Sequence, residues 1–383
     1  MFPHPTLNNA YEEFVKAGDT LENSEAWQAF EKAAAAGPTT LAAKRAVLYD
    51  PAIRSALDAI RVGLQKPAIS PYAKLDDETL LPEVRNFRSI GRLLGMVEYV
   101  QLADGKVDAA VETLFEALRF GYAIQQGAAI NGLVALAADT LALRQIEYHL
   151  DQFSVRDCGR LIQLVTNWMQ KADPSRTIIA NEERANLNVL KKYRNEPMKL
   201  FHALGLDDDN SDEAVRQKQF FDGLSENPEQ AASVFDGASK LIASIYDYEL
   251  ANLDLPYWQR KPITPLSDSA GPAVQLANNL SSSELVERIS ERYARELAEV
   301  QMLGVCAAVM QYRWENDRLP AGLSALHQDS LTTDPFSGQS FTYKPLDAMR
   351  FEVTSVGPLD RATDPKPPAG QRVQMVMPPR RAN

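Results

Sequence analysis

The sequence predicts a mainly α protein: a multi-helix bundle of αα-hairpins, then one long helix and a small three-stranded antiparallel sheet. Three observations predict it. Apolar residues recur at helical spacing through most of residues 1 to about 253. Helix-starting residues stand at regular intervals ahead of these stripes, as in Asp50-Pro51, Ser154-x-x-Asp157 and Asp173-Pro174. Strand-like alternation of apolar and polar residues begins only at Phe341.

Taken in order, Asn9 to Ala17 carries Ala10, Phe14 and Ala17 on one helical face. Ser24-Glu-Ala-Trp27 opens a second helix that runs through four alanines to Gly37-Pro38. Asp50 caps the next stripe, Ile53, Leu57, Ile60 and Leu64, and Pro51 suits its first turn, where an amide has no helical partner. Pro82 opens a long helix in which Gly91 and Gly95, four apart, let a neighbouring helix come close. That helix ends at Asp104-Gly105, and Val107 to Gln126 returns antiparallel. The pair resembles one tetratricopeptide unit, but a stable array needs about three copies and none follows at a fixed period, so it reads as an ordinary αα-hairpin. Helices are expected again from Ser154 to Lys171 and from Asp173 to Tyr193. Pro197 and the acidic run Asp207 to Asp212 interrupt the pattern, a helix resumes near Ser211, and Pro228 opens the last helix of this all-α body, residues 1–253.

From Asp254 to Leu280 the period disappears. Pro256, Pro262, Pro265 and Pro272 oppose regular structure, while Tyr257, Trp258, Ile263 and Leu266 are too apolar to leave in water. Residues 254–280 therefore read as an ordered, irregular strap. Beyond it, Ser281-x-x-Glu284 is a capping box for a helix reaching Asn316, with Leu285, Ile289, Leu297, Val300, Leu303 and Ala307 as its buried side. Phe341 and Tyr343, then Phe351, Val353 and Ser355, then Val373, Met375 and Met377 mark three strands. So small a sheet is not stable alone. Within this C-terminal unit, residues 281–383, Phe336, Phe341, Tyr343 and Phe351 are expected to pack on the helix carrying Val309 and Trp314.

Composition narrows the function classes. A net charge of -11 on 383 residues opposes a nucleic-acid partner, since phosphate binding needs a basic surface. Basic residues alternate with acidic ones, as in Glu287-Arg288 and Glu291-Arg292, in the manner of solvated helix faces. Two cysteines, Cys158 and Cys306, allow one disulfide but neither a disulfide framework nor a thiolate metal site, and whether they pair stays open. The most apolar run, Ala128 to Leu143, contains Asn131 and Asp139 and is shorter than the roughly 20 residues of a membrane span. Met1 to Pro5 has neither the charged start nor the apolar core of a signal peptide.

Chemistry is sparse. His4, His149, His202 and His327 have no histidine partner at helical spacing, and no phosphate loop, nucleophile elbow or dinucleotide fingerprint occurs. Glu182 and Glu183 form a mid-helix carboxylate pair of a type that serves acid–base or metal chemistry, although one acid on an arginine and one in water is the commoner arrangement. Asp207 to Asp212 lacks the glycine that a calcium-binding EF-hand loop needs at its sixth position and reads as a solvated loop.

One stretch carries a resemblance. Gln311-Tyr-Arg-Trp-Glu-Asn-Asp-Arg-Leu-Pro320 leads through Gly322-Leu-Ser-Ala-Leu326 to Asp334-Pro-Phe-Ser-Gly338, Phe341-Thr-Tyr343 and Phe351-Glu-Val-Thr-Ser-Val-Gly-Pro358. That order, over about residues 297 to 377, is similar to the soluble half of type II secretion pseudopilins. The resemblance implies a long helix feeding a small antiparallel sheet. It also implies calcium in the loop that follows, held by the side chains of Asp360 and Asp364 and the backbone carbonyl of Ser355. Leu359 stands where the pseudopilins place an aspartate. A large helical body replaces the prepilin start, so assembly into a filament is not expected. The opening Asn8-Asn-Ala-Tyr-Glu-Glu-Phe14 and the chain as a whole resemble a family of uncharacterised bacterial envelope proteins, usually held by one N-terminal transmembrane helix. That implies an anchor ahead of Met1 as the sole membrane contact, and an extracytoplasmic location.

The expected function is a non-enzymatic interaction or scaffolding protein of the cell envelope with a protein partner. The alternative is a hydrolase-type enzyme with its site between the helical body and the 254–280 strap. A deep polar pocket holding Glu182 or Glu183 with a histidine would favour the enzyme, and a shallow surface with exposed aromatics the scaffold.

Overall fold

In the computed structural model, which describes residues 8–69, 83–125, 127, 129–171, 173–206, 211–261, 271–280, 283–358 and 373–378, helix starts fall where the sequence places its caps. Asn9 accepts from the Tyr11 amide to begin α1 (Ala10–Glu22), so it precedes the helix it was expected to lie in. Ser24 caps α2 (Glu25–Ala36) and Thr40 caps α3 (Leu41–Leu48), a helix with no fully buried residue and hence no apolar stripe to announce it. Asp50 takes the amides of Ala52 and Ile53 at the start of α4 (Pro51–Gly63). The expected hairpin is α5 (Glu83–Ala103) against α6 (Val107–Ile124). α7 (Ala129–His149) follows, then α8 (Val155–Trp168), opened by a reciprocal capping box of Ser154 and Asp157.

The second half of the body corrects two expectations about proline. After α9 (Ser175–Tyr193), Pro197 opens α10 (Pro197–Ala203) instead of interrupting the helices. α11 (Asp212–Glu226) and α12 (Pro228–Leu253) come next, and Pro272 opens α13 (Pro272–Leu280) inside the segment expected to be irregular. Proline lacks only an amide that the first turn of a helix leaves unpaired, so it starts helices as readily as it ends them. Val274, Leu276 and Ala277 of α13 are buried, and the helix packs on α12. Of the remaining strap, Tyr257–Gln259 forms one 3-10 turn. Residues 262–270 lie outside the described residues, as do the first two residues of the expected capping box at Ser281.

α14 (Ser283–Asn316) is the central helix. It packs on α7 and α8, and every residue from Gln301 to Met310 is buried. A helix buried all round belongs in a core, so the one-sided docking expected from its apolar stripe understates its place. The apolar run Leu303 to Met310 is the sequence cause. α15 (Asp329–Thr332) leads to β1 (Thr342–Pro345), β2 (Phe351–Thr354) and β3 (Gln374–Met377), an antiparallel meander in the order β1-β2-β3. Phe336, Phe341 and Phe351 join the same apolar core as α1, α4 to α8 and α14, with Tyr343 packed against it. Trp314 does not: it is 51% exposed, with Arg313 lying over its ring. α9 to α13 share a second, smaller core built on Leu190, Phe221, Phe235, Ile242 and Leu276. Cys158 and Cys306 are free, buried thiols. No helix among the described residues is long and apolar enough to cross a membrane.

The two glycines singled out in α5 are not equivalent. A Cβ on Gly91 would stand 2.6 Å from the Cβ of Ala138 in α7, whereas one on Gly95 meets nothing nearer than Leu141 at 4.0 Å. Gly91→Val is therefore expected to destabilise by about 1–3 kcal/mol through overpacking. Gly95→Ala should stabilise by up to about 1 kcal/mol, because it adds helix propensity without a clash. Urea unfolding of both variants checks the contrast, and equal losses would contradict it.

Candidate functional site

Two motifs far apart in the sequence meet in the C-terminal unit. Asp334, 1% exposed, begins the Asp334-Pro-Phe-Ser-Gly338 turn. Its carboxylate accepts from the Phe336 amide at 2.9 Å, from the Ser355 hydroxyl at 2.9 and 3.0 Å, and from the Val356 amide at 2.8 Å. The turn and the end of β2 are thereby one hydrogen-bonded unit. Gly338 closes the turn at φ +68, a conformation side chains rarely adopt, and the ring of Trp258 lies where its Cβ would be. Phe336 meets Tyr257 edge-on, with ring centroids 5.0 Å apart. The C-terminal turn therefore holds the strap in place.

Under the strap is a cleft of about 240 Å³. Tyr122 and Gln125 at the end of α6 and Trp168 at the end of α8 form one wall. Tyr293, Glu296 and Leu297 of α14 form the floor, and Tyr257, Trp258 and Arg260 with Pro335 form the roof. Arg260 fastens the roof: it donates to Ser290 Oγ at 2.6 Å, to Asp173 Oδ2 at 3.2 Å and to the Leu255 carbonyl at 3.0 Å. Asp173, which accepts from the Ser175 amide just ahead of α9, also lines the cleft. Lys171 lies across the wall, 4.5 Å from the Tyr122 ring centroid and 4.8 Å from that of Trp168.

Beside the cleft are polar groups that the fold leaves without a partner among the described residues. Gln125 Oε1, the Tyr293 hydroxyl and Glu296 Oε2 are buried without a hydrogen-bond partner. Both carboxylate oxygens of Asp139, in α7, are buried and unpartnered too. Gly121 makes room for that acid, since a Cβ there would collide with the Asp139 carboxylate. Burial pushes Glu296 up to about 8, with Glu299 and Asp173 adding to the effect. Burial, then the nearby Glu296, holds Asp139 well above the usual carboxylate range. The α14 stripe should carry an apolar residue at 296, and it carries an acid instead.

None of these groups was singled out from the sequence as a site. Asp139 stood out there only as a polar break in an apolar run, and Gln125 and Glu296 not at all. The residues that were singled out lie elsewhere. Glu182 accepts from the Ala129 amide at 3.0 Å, at the start of α7; burial raises its carboxyl and that hydrogen bond opposes the rise. Burial, then Asp247, raises Glu183. Neither lines the cleft, and no histidine is among its described lining residues. Ser355 is fully buried and its hydroxyl is engaged by Asp334, which leaves only its carbonyl for an ion. Asp360 and Asp364 lie outside the described residues, as do residues 207–210 of the acidic run. Among the described residues, no group of three or more His, Cys, Asp or Glu is arranged to hold a metal ion.

Comparison of the chain with protein-family models, with curated proteins and with solved structures finds no match.

Proposed function

We propose that this chain is a non-enzymatic interaction or scaffolding protein of the bacterial cell envelope, and that its recognition site is the cleft under the strap. The envelope assignment is supported by the motif order from Gln311 to Pro358, which resembles that of the pseudopilins, together with the long helix and antiparallel meander that accompany it. One observation carries the recognition site: Gln125, Tyr293 and Glu296 line a cleft walled by aromatic rings, and each has a buried polar atom without a hydrogen-bond partner among the described residues. An unmet buried polar group costs about 1–3 kcal/mol, which a ligand that completes it recovers. A volume of about 240 Å³ suits a small ligand.

The hydrolase alternative has an observation in its favour as well. Glu296, held near 8 beside Asp139 and Asp173, has the character of a general acid. Equilibrium dialysis against a bacterial small-metabolite extract, with mass spectrometry of both compartments, separates the two. Binding predicts a compound enriched on the protein side, unchanged in mass, and released by Trp258→Ala. Steady conversion to a product would favour the enzyme, and no enrichment would remove the cleft as a recognition site.

Calcium remains a separate proposal for Asp360, Asp364 and the Ser355 carbonyl. With Leu359 in the position of a ligand, the expected melting temperature is flat up to millimolar calcium. A rise proportional to the logarithm of concentration, lost in Asp360→Ala, would establish the site instead.

A further inference from the structure

We propose that the cleft receives a small amine, its ammonium group donating to Gln125 Oε1 and Glu296 Oε2 and its carbon chain lying along Tyr122 and Trp168. This rests on the cleft being the recognition site. The unfilled groups choose the chemistry. Gln125 is 1% exposed and Glu296 9%, both line the cleft, and the oxygens named have no hydrogen-bond partner. Behind them Asp139 is 0% exposed, and both its oxygens are equally unpartnered. These are acceptors, so the ligand must bring donors. A positive charge also favours the ionised form of carboxylates that burial otherwise keeps protonated.

The cations already present do not meet that need. Arg260 is engaged by Asp173, Ser290 and backbone carbonyls. Lys171 rests on the aromatic wall, and among the described residues it makes no ion pair with a cleft acid. Its position shows what the wall favours, because ring faces attract ammonium groups electrostatically. An anionic ligand would instead face Asp139, Asp173 and Glu296. A neutral diol has donors but does nothing to favour the ionised form of those acids.

The same geometry sets a pH dependence. Tyr293 and Glu299 on α14, Asp139 from α7, Asp173 ahead of α9 and Arg260 from the strap surround Glu296, while Lys171 and Arg119 lie on the side of Tyr122. The amine pairs with ionised acids, so its affinity rises as pH passes about 8, the value to which burial lifts Glu296. An alkyl ammonium, with a pKa of about 10, keeps its charge through that range.

Calorimetric titration of the full chain with putrescine, succinate and butanediol, at about pH 6 and about pH 9, tests this. Putrescine is expected to bind once per chain, and about tenfold or more tightly at the higher pH. Glu296→Gln should weaken it by about tenfold or more, because the buried counter-charge is gone. Lys171→Met, on an exposed side chain, should strengthen it several-fold by removing a competing like charge. Putrescine binding that ignores Glu296→Gln overturns the assignment, as does succinate or butanediol binding equally well. If succinate or butanediol binds and Trp258→Ala abolishes that binding, the cleft stands and only the amine fails. If none of the three binds and dialysis retains nothing, the recognition site fails with it.

Discussion

Asp334→Ala is expected to cost about 3–5 kcal/mol of folding stability, because it leaves several donors unmet at about 1–3 kcal/mol for each buried one. The carboxylate is 1% exposed and holds three donors: the Phe336 amide, the Ser355 hydroxyl and the Val356 amide. Alanine would leave all three unmet, the first two of them buried. Ser355→Ala removes a single donor and should cost only about 1 kcal/mol. The effect should also reach the strap, since Pro335 lines the cleft and Phe336 packs edge-on against Tyr257. Urea unfolding monitored by tryptophan fluorescence reads both, and a loss below about 1 kcal/mol for Asp334→Ala would contradict the network's role.

Stability should fall as the solution is made alkaline, and Glu296→Gln should flatten the fall. Burial first, and neighbouring acids second, lift both Glu249 and Glu296 from 4.5 to about 8. Between those values the folded chain holds protons that the unfolded chain has released. The stability such a group contributes is complete below about pH 4.5, declines as pH rises, and is gone above about 8. Each group accounts for about 1.4 kcal/mol per pH unit inside that window. Burial also raises Glu98 and Asp139, which extends the decline upward. Glu296→Gln keeps the shape and removes the titration, so its curve should lie above the parent's at about pH 9 by several kcal/mol. Parallel curves for parent and variant would mean that Glu296 is not held neutral in the fold.

The architecture was legible wherever a local signal had a local cause. Asp50 and Ser154 cap helices because their oxygens reach amides two or three residues on, Asp157 reaches back to the Ser154 amide, and the alternation at Phe351 and Val353 becomes β2. Pro197 and Pro272 misled because a proline at a helix start and one at a break look alike without the residues packed around them. The central place of α14 was written in Leu303 to Met310, but a one-face stripe hid it. The cleft was not legible, since its polar groups are scattered: Gln125 just after α6, Asp139 in α7, Asp173 ahead of α9, and Tyr293 and Glu296 in α14. Asp334 and Ser355 were read as parts of a resemblance in motif order; their physical connection is the hydrogen bond between them.

A crystal structure of the chain with the compound retained in dialysis tests the central claim most directly. Density is expected in the cleft, with donors on Gln125 Oε1 and Glu296 Oε2 and the Trp258 roof closed over it. A compound bound elsewhere, with the cleft empty and those oxygens still unpartnered, would contradict it.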